Sequence, residues 1–204
     1  MTGRVTAGPT TAGIARVWAG SLAAVLQRRR APTGLRHSAE TRQVVLVLAV
    51  SEAVAAFPLS SVLPPGVRPV HAALEVLLVL AGLGLVAALV RHPHEVDVER
   101  VLLRTGFLGE LALPRAAVRS SAAVVRTVPG RGPRPVPDEP GAVACSVGDS
   151  LNVALRLDPP VRLDLGPGGV VDATTVYAST DSPPALAAAL HAAPPPSAGF
   201  REII

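Results

Sequence analysis

The sequence predicts an α+β membrane protein: a transmembrane helical hairpin, then a small β-barrel or sandwich domain closed by a C-terminal capping helix. Three observations carry that prediction. Two apolar stretches, residues 44–63 and 70–90, each have about the ~20 residues a helix needs to cross a bilayer, and the tight loop Pro64-Pro65-Gly66-Val67-Arg68-Pro69 joins them. Beyond Arg91-His92-Pro93 the chain changes to short, Val- and Leu-rich segments separated by turn residues. Near its end, Asp181-Ser182-Pro183-Pro184 supplies a helix start, with Asp181 or Ser182 as N-cap and proline in the first turn.

Composition narrows the class. Of 204 residues 49% are hydrophobic and 2% aromatic, and all 19 basic residues are arginine. Such usage, with 18 Gly and 21 Pro, is that of a high-G+C genome and discounts the arginine count as a sign of specific recognition. The placement of charge says more. Arg4, Arg16, Arg28, Arg29, Arg30, Arg36 and Arg42 precede the hairpin against the single acid Glu40, Arg91, Arg100 and Arg104 follow it, and the connecting loop carries only Arg68. The positive-inside rule then puts a multi-pass protein in the cell membrane with both termini cytoplasmic. Cys145 is the one cysteine, so neither a disulfide framework nor a cysteine cluster for zinc is expected, and it reads as a buried strand residue. The apolar run 14–26 precedes its arginine cluster, the reverse of a secretory signal.

Taken in order, residues 1–43 read as a flexible basic segment, disordered over 1–12. Within it, Ile14, Val17, Trp18, Leu22, Val25 and Leu26 recur at helical spacing, giving a candidate amphipathic helix over 14–27. It is too short to span; it lies on the cytoplasmic leaflet, or is an ordinary short helix or a loose tail that marks topology. In the hairpin, 44–90, Pro58 is expected to loosen the last turn of the first helix. Ala49, Ala53, Ala56 and Ser60 form one small-residue stripe and Ala81, Gly84 and Ala88 another, suited to close approach of a second helix: they face each other within the hairpin, or face another copy or another protein. The domain at 94–192 shows strands near 96–105, 110–118, 122–128, 142–147, 152–157 and 170–179, with 129–140 as a long exposed loop. A further strand starts at Asp158-Pro159-Pro160 if the domain has seven. Residues 193–204 form a flexible tail.

The run from Val101 to Val118, with its Thr105-Gly106-Phe107-Leu108-Gly109 turn and Pro114-Arg115-Ala116-Ala117-Val118 bend, resembles the opening of bacterial membrane-anchored pleckstrin-homology-like (PH-like) domains. Asn152-Val153-Ala154-Leu155-Arg156-Leu157 and Thr180-Asp181-Ser182-Pro183 resemble that family's late strand and the entry to its terminal helix. A hairpin feeding such a domain is similar to small actinobacterial two-helix membrane proteins. The resemblance implies a PH-like fold and a scaffold role, and it brings no catalytic residues.

Candidate functional residues are few. Glu52 falls near the middle of the first apolar stretch, on the small-residue stripe, where a carboxylate costs about 2.5–3.5 kcal/mol on insertion scales. It reads as an intramembrane proton or cation site, or as a carboxyl hydrogen-bonded across a helix interface. His71 and Glu75 are four apart and share a face, about 9 Å further out than Glu52 at ~1.5 Å per residue. Two ligands do not complete a metal site, so an interfacial His–Glu contact is the simpler reading. His92 and His94 read as boundary residues. Arg126, Arg131 and Arg134 around the long loop are the candidates for lipid or partner binding. Gly166-Pro167-Gly168-Gly169 lacks the lysine and helix of a phosphate loop, and no nucleophile–base pair or cofactor motif can be named. Phe107 and Tyr177 are too few aromatics for stacking on nucleic acid.

The expected function is therefore non-enzymatic: a membrane-anchored scaffold or adaptor binding a protein partner or the membrane surface through its β domain. The expected partners are membrane lipids, a membrane or cytoplasmic protein, and a second copy of the chain. The alternative is a small oligomeric transport or channel subunit using Glu52.

Overall fold

The computed structural model describes residues 2–7, 11–27, 34–106 and 108–192. Its elements run β1 (Arg4–Ala7), α1 (Thr11–Leu26), α2 (Ala39–Val62), α3 (Arg68–Arg91), β2 (Glu95–Val96), β3 (Arg100–Arg104), β4 (Gly109–Pro114), β5 (Val118–Thr127), β6 (Gly132–Pro135), β7 (Ala142–Ser146), β8 (Ser150–Asp164), β9 (Val170–Ala178) and α4 (Pro183–His191). Arg28-Arg29-Arg30, Phe107 and the tail 193–204 lie outside the described residues.

The apolar stretches form α2 and α3, each 24 residues long and apolar enough to cross a membrane. α2 stops where Leu63 turns extended ahead of Pro64, the conformation a following proline imposes. Arg68 then folds back, donating from Nε to Leu63 O (3.0 Å) and from Nη2 to Ser61 O (3.3 Å). These are carbonyls that a helix end leaves open. Pro58 does not end α2, which runs on to Val62. Both helices turn large apolar side chains outward: Phe57 is 84% and Val62 78% exposed.

The small-residue stripes do not simply face each other. Gly82 meets α2, where an added Cβ would lie 3.1 Å from Ala49 Cβ. Gly84 instead receives Trp18 of α1, whose indole nitrogen would lie 1.8 Å from a Cβ there. Trp18 Nε1 donates to Ala81 O at 3.1 Å. The predicted short helix thus packs along α3. Both its flanks return to the β domain, through Ala7 paired with Gly109 and Leu35 bridged to His94.

The β domain holds two sheets, ordered β1-β4-β3-β2 and β5-β8-β9-β7-β6. All pairs are antiparallel except β7 with β9. Their inner faces share one core, including Leu103, Leu111, Val143, Leu155 and Val176, and Leu186 of α4 reaches into it. Ser182 caps α4, accepting from the Ala185 N–H at 3.3 Å. Arg115 caps its far end, with Nη2 donating to Leu190 O (3.0 Å) and Ala192 O (2.7 Å).

Some expectations need correction. Residues 4–7 are not disordered: they form β1 at the edge of the first sheet. Gly3 ahead of them donates its N–H to Arg162 O of β8 (3.1 Å), and a Cβ there would lie 2.5 Å from Leu163. The N-terminal strand therefore stitches the two sheets together. The loop 129–140 contains β6, paired with β7. Asp158-Pro159-Pro160 starts no new strand; β8 runs through it with a register shift between Arg156 and Val161.

Candidate functional site

Hairpin and β domain meet at His37, His94, Asp181 and Arg42. The two imidazoles are each 1% exposed and stack with centroids 4.5 Å apart, 15° from parallel. His94 Nδ1 accepts the Arg104 backbone N–H at 3.0 Å. Its proton therefore sits on Nε2, which donates to Ser179 O at 2.9 Å. His37 donates from Nε2 to His92 O (2.9 Å) and accepts the Ser38 hydroxyl at Nδ1 (2.8 Å). Burial pushes His94 down to about 3, with the neighbouring His37 adding to the effect. Burial also lowers His37. Two neutral rings thus tie the chain entering α2 to the chain leaving α3 and to the ends of β3 and β9.

Asp181 completes the junction. The residue ahead of α2, Ser38, is left-handed (φ 60°) and offers no side-chain cap. Asp181, 142 residues beyond Ala39, takes that place: the Ala39 N–H donates to Oδ1 at 2.9 Å, and Arg42 Nη2 to Oδ2 at 2.6 Å. A carboxylate suits the positive end of a helix. Arg42 Nη1 also donates to His37 O. Asn152 of β8 holds the loop in place, donating to Thr180 O (2.6 Å) and accepting the Thr180 N–H (2.9 Å). Of the two N-caps the sequence offered for α4, Ser182 serves that helix and Asp181 serves α2.

A crevice of about 650 Å³ opens beside the junction, between Glu40, Thr41, Val44 and Val45 of α2 and Asp149 and Ser150 at the start of β8. A second hollow of about 300 Å³ shares Thr41, Val45, Gly148 and Asp149 with it and adds Leu85 and Arg131. Together they make one furrow around the foot of α2. Asp149 accepts the Gly130 N–H at 3.0 Å. Glu40 and Arg131 are exposed and have no partner among the described residues.

The residues singled out from the sequence are dispersed. Glu52 is half-buried in α2. His71 Nε2 lies 3.3 Å from Glu75 Oε1, and His71 Nδ1 is 3.1 Å from Ser60 Oγ across the hairpin. His71 Nε2 and Glu75 Oε2 are buried without a hydrogen-bond partner. The Ser60–His71 and Ala49–Gly82 contacts set Glu52 level with Val79. Glu75 is thus about one turn further out, ~6 Å along the axis rather than ~9 Å. Among the described residues no group of three or more His, Cys, Asp or Glu is placed to hold a metal ion.

The three loop arginines do not form a cluster. Arg126 Nη1 contacts Glu139 Oε2 (2.5 Å) and Tyr177 Oη (3.0 Å), with its guanidinium 4.6 Å over the Tyr177 ring. Burial and the Glu139 hydrogen bond raise the Tyr177 phenol above its usual value. Arg134 folds into its own loop, donating to Val128 O (2.6 Å), Gly132 O (2.9 Å) and Pro129 O (3.0 Å). Of the three, only Arg131 has no partner among the described residues. His92 caps α3 through Ala88 O (2.8 Å), whereas His94 is buried in the junction and is no boundary residue. Cys145 is buried in β7, where desolvation pushes its thiol up to about 12.

Sequence reasoning did not single out the junction. Its only signals were two histidines flanking Pro93 and an Asp181 with two possible duties. No protein-family model, curated protein or solved structure matches this chain.

Proposed function

We propose that this chain is a non-enzymatic, membrane-anchored scaffold. The α2–α3 hairpin spans the cell membrane, both termini are cytoplasmic, and the β domain, read as PH-like, engages a protein partner. The junction carries this reading. Side chains and backbone from both feet of the hairpin are bonded to β3, β9 and the loop before α4. A domain held this way is presented in one orientation, which suits a scaffold better than a tether.

The edge of β5 is the partner surface. Among the described residues β5 pairs only with β8, and Val125 on it is fully exposed. Beside it runs an apolar hollow of about 150 Å³ lined by Ser121, Ala123, Val153, Pro183 and Ala187. Ser121 Oγ is buried there without a hydrogen-bond partner. An extended segment added to this edge would gain backbone hydrogen bonds and seat a side chain in the hollow. Register shifts between Val118 and Ser120 and between Ala123 and Arg126 interrupt the strand, a limit on indiscriminate edge pairing.

The test is gentle-detergent purification of the tagged full chain from its native membrane, with stoichiometry by mass spectrometry. A near-stoichiometric protein kept by Glu52→Ala and lost with Ala123→Arg supports the scaffold. A second reading, an oligomeric transport or channel subunit, rests on Glu52, half-buried and without a partner among the described residues. Recovery of self-oligomers alone, with a flux abolished by Glu52→Ala, would favour it.

A further inference from the structure

The furrow at the foot of α2 has two kinds of wall. Val44, Val45 and Leu85 line it from the hairpin, and Val44, 54% exposed, continues into the outward apolar face of α2 with Val47 and Leu48. The opposite wall is polar. It carries Asp149, which accepts the Gly130 N–H at 3.0 Å and interacts electrostatically with the Arg134 guanidinium, and it faces Glu40 on the first turn of α2, exposed and without a partner among the described residues. Asp181, the third acid, is already neutralised by Arg42. Arg131 lines the adjoining part of the furrow, exposed and unpaired among the described residues.

Acid, guanidinium and apolar side chains around one furrow match one ligand chemistry. A primary ammonium donates up to three hydrogen bonds and fits two carboxylates, and a phosphate fits a guanidinium. Acyl chains fit an apolar helix face. We infer that the furrow binds an aminophospholipid, with the ammonium at Glu40 and Asp149, the phosphate at Arg131, and the acyl chains along Val44, Val45 and Leu85. This rests on the membrane-anchored reading, which sets the first turns of α2 at head-group depth. The lipid would wedge between hairpin and β domain beside the junction.

The full chain, purified in mild detergent and delipidated, is titrated with phosphatidylethanolamine, phosphatidylcholine and phosphatidylglycerol of identical acyl chains, and bound lipid is counted by native mass spectrometry. Phosphatidylcholine keeps the phosphate and removes the N–H donors; phosphatidylglycerol keeps the phosphate and removes the cation. One phosphatidylethanolamine should be retained per chain, about 5-fold or more above the other two. Glu40→Gln and Arg131→Gln should each reduce that retention by a similar factor. Neither side chain has a partner among the described residues, and an unchanged thermal melt checks that both variants fold. Equal retention of the three lipids, preference for phosphatidylglycerol, or indifference to both substitutions overturns the proposal. Anchoring is tested apart from this. If alkaline carbonate strips the chain from its native membrane, the membrane reading falls; if the chain stays and lipid selectivity is missing, only the lipid site falls.

Discussion

His94 shows how burial turns an ordinary titratable group into a structural one. Its ring is enclosed by the Arg104 N–H, Ser179 O and the His37 ring, so a proton on Nδ1 would meet another donor. Its value is 6.5 in an unperturbed chain and about 3 when folded. Between those values the unfolded chain holds a proton that the folded chain does not. The stability from neutral His94 is therefore complete above pH 6.5 and drains away as pH falls toward 3. His37, also lowered, acts in the same direction. Thermal midpoints of the detergent-solubilised chain should fall through this window, and His94→Gln should flatten the decline; parallel profiles would contradict the assignment. Asp181→Ala removes a helix cap and an ion pair together, a loss of about 1–2 kcal/mol. At ~2–4 °C per kcal/mol for a chain of this size, the melt should drop by several degrees, and Asp181→Asn should recover part of the cap and none of the pair.

Among the elements, those with long local signals were legible and those defined by contact were not. α2 and α3 announce themselves by apolar runs bounded by prolines, and five of the six predicted strands reappear close to where they were placed; only Glu95–Val96 and Arg100–Arg104 split one of them. β1 and β6 were missed, since each has only four residues and holds through its neighbour. α1 was legible as a helix, but its seat on α3 was not, because nothing in one stripe of small residues says which aromatic will fill it. That seat is testable. Trp18 is the only tryptophan, so its emission reports its own environment. Gly84→Leu should push the indole out, shift the emission, and cost about 1–3 kcal/mol through overpacking; an unmoved spectrum would sink the packing of α1 on α3.

At the scale of the whole molecule, the hairpin loop and the junction lie at opposite ends of α2 and α3. The membrane reading predicts that Gly66→Cys is labelled by an impermeant maleimide from outside intact cells, with Cys145, buried and with its thiol pushed up to about 12, silent as an internal control. Labelling only after lysis would invert the topology. Composition, apolar run length and turn residues determined by themselves that this chain has a helical hairpin, a strand-rich domain and a closing helix, because those signals act over a few neighbouring residues. Tertiary structure alone decided that Asp181 caps α2, that His37 meets His94, that residues 4–7 join the first sheet, and that Arg126 and Arg134 serve their own domain while Arg131 faces a furrow. Each of these depends on groups far apart in the chain being brought within hydrogen-bonding distance, and only the packed core sets that distance.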